Sequence, residues 1–250
     1  MKGLLFQQGI ESRLEILGEG FRQGDSISCS LTVKNGSKFD LPTDQLLFAL
    51  TEADLKKVAK KDFSAYETIY PTEIGDSGVI APGEQRTFAR EFPLDINCII
   101  SDSAQSICVV FGLNTGEFTG GQLQVPVTPH ADIEGILTVV ETSFQFDPRG
   151  QKSKSGWVVA RLKAPAGGKF KTVDELELGF RFQGDKLQLR YNFKVKRLEA
   201  GPSTLAIQKK KLEFKRDLER SDYFSKAGYI DSKLLEPILE ETLSKVVSNF

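Results

Sequence analysis

Apolar and polar residues alternate with a period of two along most of this chain, the signature of strands with one buried face. Ile27, Cys29, Leu31 and Val33 alternate with Ser28, Ser30 and Thr32, directly after the turn signal Gln23-Gly24-Asp25. Leu46, Phe48 and Leu50 repeat the pattern. Phe88, Phe92 and Leu94 follow the turn Ala81-Pro82-Gly83-Glu84, and Ile107, Val109, Phe111 and Leu113 form another alternating set. Leu123, Val125 and Val127 close the first half. Flanking strands are expected over 136–146, 156–163 and 204–216. Short strands punctuated by Gly and Pro turns predict an all-β chain of sandwiches and not βαβ units.

The clearest pattern lies at 174–197. Leu176, Leu178, Phe180 and Phe182 lead to Gln183-Gly184-Asp185-Lys186, and Leu187, Leu189, Tyr191, Phe193 and Val195 follow. Gly184-Asp185 reads as a two-residue hairpin loop with Gly first, the type II′ preference. That loop fixes the register. Phe182 must face Leu187, Phe180 Leu189, Leu178 Tyr191 and Leu176 Phe193, while Glu175 meets Lys194 on the wet face.

Pro126-Val127-Thr128-Pro129-His130-Ala131-Asp132 carries two prolines and no periodicity, which places a boundary there. The expected organisation is an N-terminal sandwich over 1–128, a second sandwich over 129–220 and a helical segment over 221–250. Residues 51–61 suit one or two exposed helical turns. Leu234, Leu235, Ile238, Leu239, Leu243, Val246 and Val247 recur at helical spacing, with Lys233, Glu236, Glu240 and Lys245 on the other face. Pro237 belongs in a first turn, so the helix is expected to begin near Glu236. Burying each such apolar side chain is worth roughly 1.5–3 kcal/mol, so the stripe must face something. Leu235, Ile238, Leu239, Leu243 and Val246 therefore mark a helix that docks on its own sandwich, on a second copy or on a partner. Glu236, Glu240 and Glu241 outnumber Lys233 and Lys245, which disfavours a membrane surface.

Composition narrows the chemistry. The 250 residues carry a net charge of −1, so the whole molecule is no electrostatic trap for nucleic acid or anionic membrane. The apolar run Leu4-Leu5-Phe6 is shorter than a signal-peptide core of about 7–15 residues, and no stretch approaches the roughly 20 that a membrane span needs. The three cysteines, Cys29, Cys98 and Cys108, lack paired spacing, which points to a reducing, cytoplasmic setting. Cys29 and Cys108 fall on the apolar phase of strands, and Cys98 has no histidine near it in sequence to activate it. The single histidine, His130, sits in the boundary segment and reads as a solvated linker residue or a hinge contact. No GxSxG, Walker or GxGxxG pattern occurs, and Gly18-Glu19-Gly20 lacks the third glycine. No catalytic residue, metal site or cofactor is expected. The candidate interaction patch is the basic cluster Lys209, Lys210, Lys211, Lys215 and Arg216. It would meet an anionic partner, or else protect an edge strand from aggregation. Glu213, Asp217 and Glu219 dilute its field, and no aromatic residues interleave for base stacking, so no specific nucleic acid is expected.

Several stretches in order resemble the arrestin-like fold family. Phe21-Arg22-Gln23-Gly24-Asp25 before a long strand resembles the opening of the first domain. Ala81-Pro82-Gly83-Glu84 with Phe88 and Glu91-Phe92-Pro93-Leu94 resembles a later passage, as does Ser101-Asp102-Ser103 before Ile107 to Leu113. Val173-Asp174-Glu175-Leu176-Glu177-Leu178 with the Gly184-Asp185 hairpin resembles the bacterial sporulation-control arrestin-like proteins and, more distantly, arrestins and the retromer arrestin-like subunit. The resemblance implies two immunoglobulin-like or arrestin-like sandwiches and no catalytic residues. It implies a cytoplasmic scaffold or regulatory adaptor that binds protein partners through strand edges and inter-domain surfaces, with self-association open to the C-terminal helix. A sandwich module for a small ligand or carbohydrate is the alternative.

Overall fold

The computed structural model describes residues 1–70, 74, 78–114, 120–200 and 205–248, with the main chain alone for 63, 197–200, 205–209, 247 and 248. Contacts divide the chain into two compact units, Met1–Thr128 and Pro129–Phe250.

The first unit contains β1 (Lys2–Gln7), β2 (Ile10–Ile16), β3 (Phe21–Arg22), β4 (Ser26–Asn35), β5 (Leu41–Pro42) and β6 (Leu46–Asp54). A short helix α1 (Leu55–Ala59) follows, capped by the Asp54 side chain, and then β7 (Tyr66–Tyr70), β8 (Val79–Ile80) and β9 (Gln85–Pro93). The unit closes with β10 (Gln105–Leu113), β11 (Gly121–Val125) and β12 (Val127–Thr128). Two four-stranded sheets, ordered β1-β2-β4-β9 and β11-β10-β6-β7, share one core, and the pairs β3/β12 and β5/β8 flank them. In β4, Ile27, Cys29, Leu31 and Val33 are all buried, as the period of two requires. Phe48 and Phe92 meet edge to face at 5.6 Å between the two sheets.

The second unit opens with α2 (Ala131–Phe144) and continues through β13 (Asp147–Lys154), β14 (Trp157–Lys163), β15 (Val173–Gln183), β16 (Lys186–Ala200) and β17 (Leu205–Glu219) to α3 (Ser232–Ser248). Its strands form one antiparallel five-stranded sheet in sequence order. The β15–β16 hairpin has the expected register, with Phe182 opposite Leu187, Leu178 opposite Tyr191, Leu176 opposite Phe193 and Glu175 opposite Lys194. Gly184 has φ 57° whereas Asp185 is not among the residues with positive φ, as a type II′ turn requires. Helices cover one face of this sheet. His130 meets Phe182 at 4.9 Å, Arg216 of β17 reaches Glu241 of α3 at 2.5 Å, and α2 and α3 pack against each other.

Three expectations are corrected. The segment 136–146 is mostly helix, and its buried residues Ile133, Ile136, Leu137, Val140 and Phe144 recur at helical spacing. Val127–Thr128 pairs parallel to β3, and His130 is the N-cap of α2, its Nδ1 accepting from the Asp132 N–H at 3.2 Å, so it is not a solvated linker residue. Helix α3 begins at Ser232, which leaves Pro237 inside it. Asp231 supports the start by accepting from the Lys233 N–H at 3.0 Å. Pro237 is exposed, so water can take the place of the bond that proline cannot donate. Gly135 lets the loop before α3 approach α2, because a Cβ there would lie 2.1 Å from Ile230 Cδ1.

Candidate interaction surface

The uncovered face of the five-stranded sheet is built by strand alternation. Residues directly opposite one another across antiparallel strands share a face. One row across the sheet is Lys152, Val159, Gly179, Arg190 and Lys215. The next is Arg161, Glu177, Asn192 and Glu213, and the third is Lys163, Glu175, Lys194 and Lys211. Beyond the first row, Lys154 lies opposite Trp157.

This face has its own electrostatic order. Glu175 holds Lys194 at 2.7 Å and Arg161 at 3.2 Å, and Lys194 first, then Arg161, keeps the Glu175 carboxyl below its usual range. Lys215 lies 3.5 Å from Glu213. Lys152, Lys154, Arg190 and Lys211 form no ion pair among the described residues. The Arg190 guanidinium stacks over Trp157, 4.6 Å from the ring centre, and its buried Nε has no hydrogen-bond partner. Gly179 is the floor beneath that stack, since a Cβ there would sit 3.3 Å from the Trp157 ring. An open hollow of about 680 Å³ lies here, lined by Lys152, Lys154, Arg190, Lys194 and Lys211 with Glu177 and Glu213.

Alternation also divides the basic cluster proposed from sequence. Lys211 and Lys215 project onto the open face. Lys210 lies opposite Val195 and Arg216 opposite Leu189, on the helix-covered face, where Arg216 is held by Glu241. The Lys209 side chain lies outside the described residues. Lys152, Lys154, Arg190 and Lys194 complete the surface but are distant in sequence. The one signal that could have found them is cross-strand register.

The apolar stripe of α3 is buried within the chain itself. Leu235, Leu239, Leu243 and Val246 are 1% exposed or less, and Ile238 is half-buried. Leu234 is exposed, and the Val247 side chain lies outside the described residues.

The nucleophilic and titratable residues are put to structural use. All three cysteines are free and buried. Burial pushes the Cys29 thiol up to about 12, and burial with Asp95 and Glu52 nearby does the same to Cys98. Burial alone raises Cys108 to about 11, so none of these thiols is poised as a thiolate near neutral pH. Tyr223 donates to the buried carboxylate of Asp132 at 2.9 Å, tying the loop before α3 to α2. No cluster of His, Cys, Asp and Glu suited to a metal occurs among the described residues. No helix among them is long and apolar enough to cross a membrane.

Comparison with known proteins adds to the fold. No family model matches the sequence, and no curated protein matches it. The crystal structure of Spo0M, a sporulation control protein from Bacillus subtilis, matches with a TM-score of 0.62 and 17% identity, over 96% of this chain and 98% of that one. The fold is arrestin-like. The likeness spans both units, and at this identity it speaks for the fold alone.

Within this arrestin-like frame the sheet edges differ. Strand β1 pairs only with β2, and it carries Leu4 and Phe6 on its outer face, 56% and 67% exposed. In the second unit the edge β13 is interrupted by a bulge between Pro148 and Gly150 and carries Lys152 and Lys154. The opposite edge β17 carries Lys210, Lys211 and Lys215. Bulges and lysines are the usual guards of an open edge, and β1 has only Lys2 in that role.

Proposed function

We propose that this chain is a non-catalytic scaffold or regulatory adaptor of the cytoplasm that binds other proteins through its sheet edges and faces. The observation that carries the reading is strand β1, an edge strand with Leu4 and Phe6 turned to solvent and little to repel a pairing strand. Such an edge offers main-chain hydrogen bonds for affinity and alternate side chains for specificity, the physics of strand addition. Support also comes from the disposition of reactive groups, since the thiols are buried and protonated and the one histidine caps a helix. A neighbour in fold is named for the control of sporulation, which suits a regulatory role.

The test is a photo-cross-linking residue in place of Phe6, expressed in the native cell, with Phe39 as control. Phe39 is 79% exposed but lies outside the strands. Discrete protein adducts at position 6 and not at 39 are expected. Their absence, or the same adducts from both positions, defeats the reading.

A further inference from the structure

Across the middle of β16 and β17 the open face of the second unit carries three charged steps, bounded by Gln188 with Asp217 on one side and by Lys196, held by Asp174, on the other. Arg190 and Lys215 form the first, Asn192 and Glu213 the second, and Lys194 and Lys211 the third. The sign runs positive, negative, positive. Successive steps are two residues apart on the strand, or about 6.6–6.8 Å. An extended peptide laid along these strands places every second side chain on one side with the same spacing.

We infer that this face binds an extended segment of a partner protein in which two acidic residues flank a basic one at alternate positions, acid-x-base-x-acid. The first acid meets Arg190 and Lys215, the base meets Glu213 with Glu177 beside it, and the second acid meets Lys211 and Lys194. Several observations favour this occupant. Arg190 and Lys211 form no ion pair among the described residues, so their charges are available. The Arg190 fork, held flat on Trp157 over Gly179, presents its outer N–H groups to a carboxylate without first being ordered. The middle step argues against a uniform polyanion. Nucleic acid places phosphates without interruption, and some would lie over Glu177 and Glu213. The face also lacks a free ring for base stacking, because Arg190 covers Trp157. A membrane would meet a recessed hollow whose apolar lining residues Val159 and Phe193 are buried.

The inference rests on the adaptor reading, and its test stands apart from the cross-linking at Phe6. Trp157 is the chain's only tryptophan, so its emission reports on the Arg190 stack without a label. The full chain is titrated with a peptide whose core is Glu-Gly-Lys-Gly-Glu, and with a second of the same composition whose core is Lys-Gly-Glu-Gly-Glu. The first should change Trp157 emission saturably and bind at least fivefold more tightly, because net attraction is equal and only the order of charges differs. K211E/K215E should weaken it at least tenfold, and K211Q/K215Q by a smaller factor should the reversal perturb the strand. K226E, in the loop before α3, should leave it within twofold. Equal binding of the two peptides overturns the inference. So does retained affinity in both charge variants, an equal loss in K226E, or tighter binding of a single-stranded oligonucleotide or of phosphatidylserine vesicles. Failure here with adducts still forming at position 6 removes this ligand and leaves the adaptor reading in place.

Discussion

The two units solve one problem in two ways. Each has an antiparallel sheet with an apolar face to cover. The first covers it with a second sheet, so that Leu14, Leu31 and Phe92 interdigitate with Phe48, Val109 and Phe111. The second covers it with two amphipathic helices, which leaves the far side of the same sheet open and charged. The strands of both units show the same period of two, so alternation marks a buried face without revealing what buries it. Polar ties occur in both covers: Tyr223 to Asp132 and Arg216 to Glu241 in the helical one, and the Leu113 N–H of β10 to Gln7 Oε1 of β1 at 2.9 Å between the two sheets.

The strongest way to probe this contrast is to cut the cover in each unit. Leu239 is fully buried on α3 and Leu14 is fully buried on β2. Either residue replaced by Ala loses burial and leaves a cavity, at a cost of about 2–5 kcal/mol. Native-state hydrogen exchange should locate the damage. Leu239→Ala should speed exchange in β14 to β16, and Leu14→Ala in β2, β4 and β9. Faster exchange across β14 to β16 after Leu14→Ala would break the account of two separately covered sheets.

The hairpin of the second unit was legible to the residue because three constraints agreed. The Gly-Asp loop set the register, every apolar side chain then fell on one face, and Glu175 met Lys194. The segment 136–146 reads as a strand because Ile136, Val139 and Val140 are β-branched and Thr138 and Thr142 lie among them. The spacing 133, 136, 137, 140 and 144 carried the helical signal, and burial followed that spacing over local preference. His130 reads as a linker residue because its role as the cap of α2 appears only once the helix is known. Strand β1 is hard to read because Leu4, Leu5 and Phe6 are contiguous and do not alternate, and β2 because a buried polar residue, Ser12, interrupts the apolar phase of Ile10, Leu14 and Ile16. The basic cluster is divided by the same alternation. Adjacent lysines on a strand point to opposite faces, while Lys152, Arg190 and Lys211 converge only through the order of strands in the sheet.

A smaller effect is expected at the turn that sets this register. Gly184 has φ 57° with open space around its missing Cβ, so a side chain there meets backbone strain and no clash. Gly184→Val should cost about 1 kcal/mol or more. Gly184→Asn should cost less, since Asn is among the residues that take the positive φ of a type II′ turn. Urea midpoints of the two variants separate a conformational effect from loss of packing, and equal midpoints would count against the turn type.

The smallest effect on stability carries the most information about the edges. Phe6 is 67% exposed on β1, and Lys154 is exposed near the end of β13. Exchanging their character, as Phe6→Lys in one variant and Lys154→Phe in another, should change unfolding free energy by no more than about 0.5 kcal/mol, because neither side chain is part of a core. Association should respond in opposite directions. A lysine on β1 supplies the guard that strand lacks, so Phe6→Lys should abolish protein adducts from a photo-reactive residue placed at Leu4. Lys154→Phe removes a guard from β13, but the bulge between Pro148 and Gly150 still interrupts that edge. Its sedimentation should therefore show at most weak self-association. If Phe6→Lys leaves the adducts unchanged while Lys154→Phe aggregates strongly, the open edge of β1 is not the recognition element, and the lysines of the second unit are the feature that keeps this protein from pairing with itself.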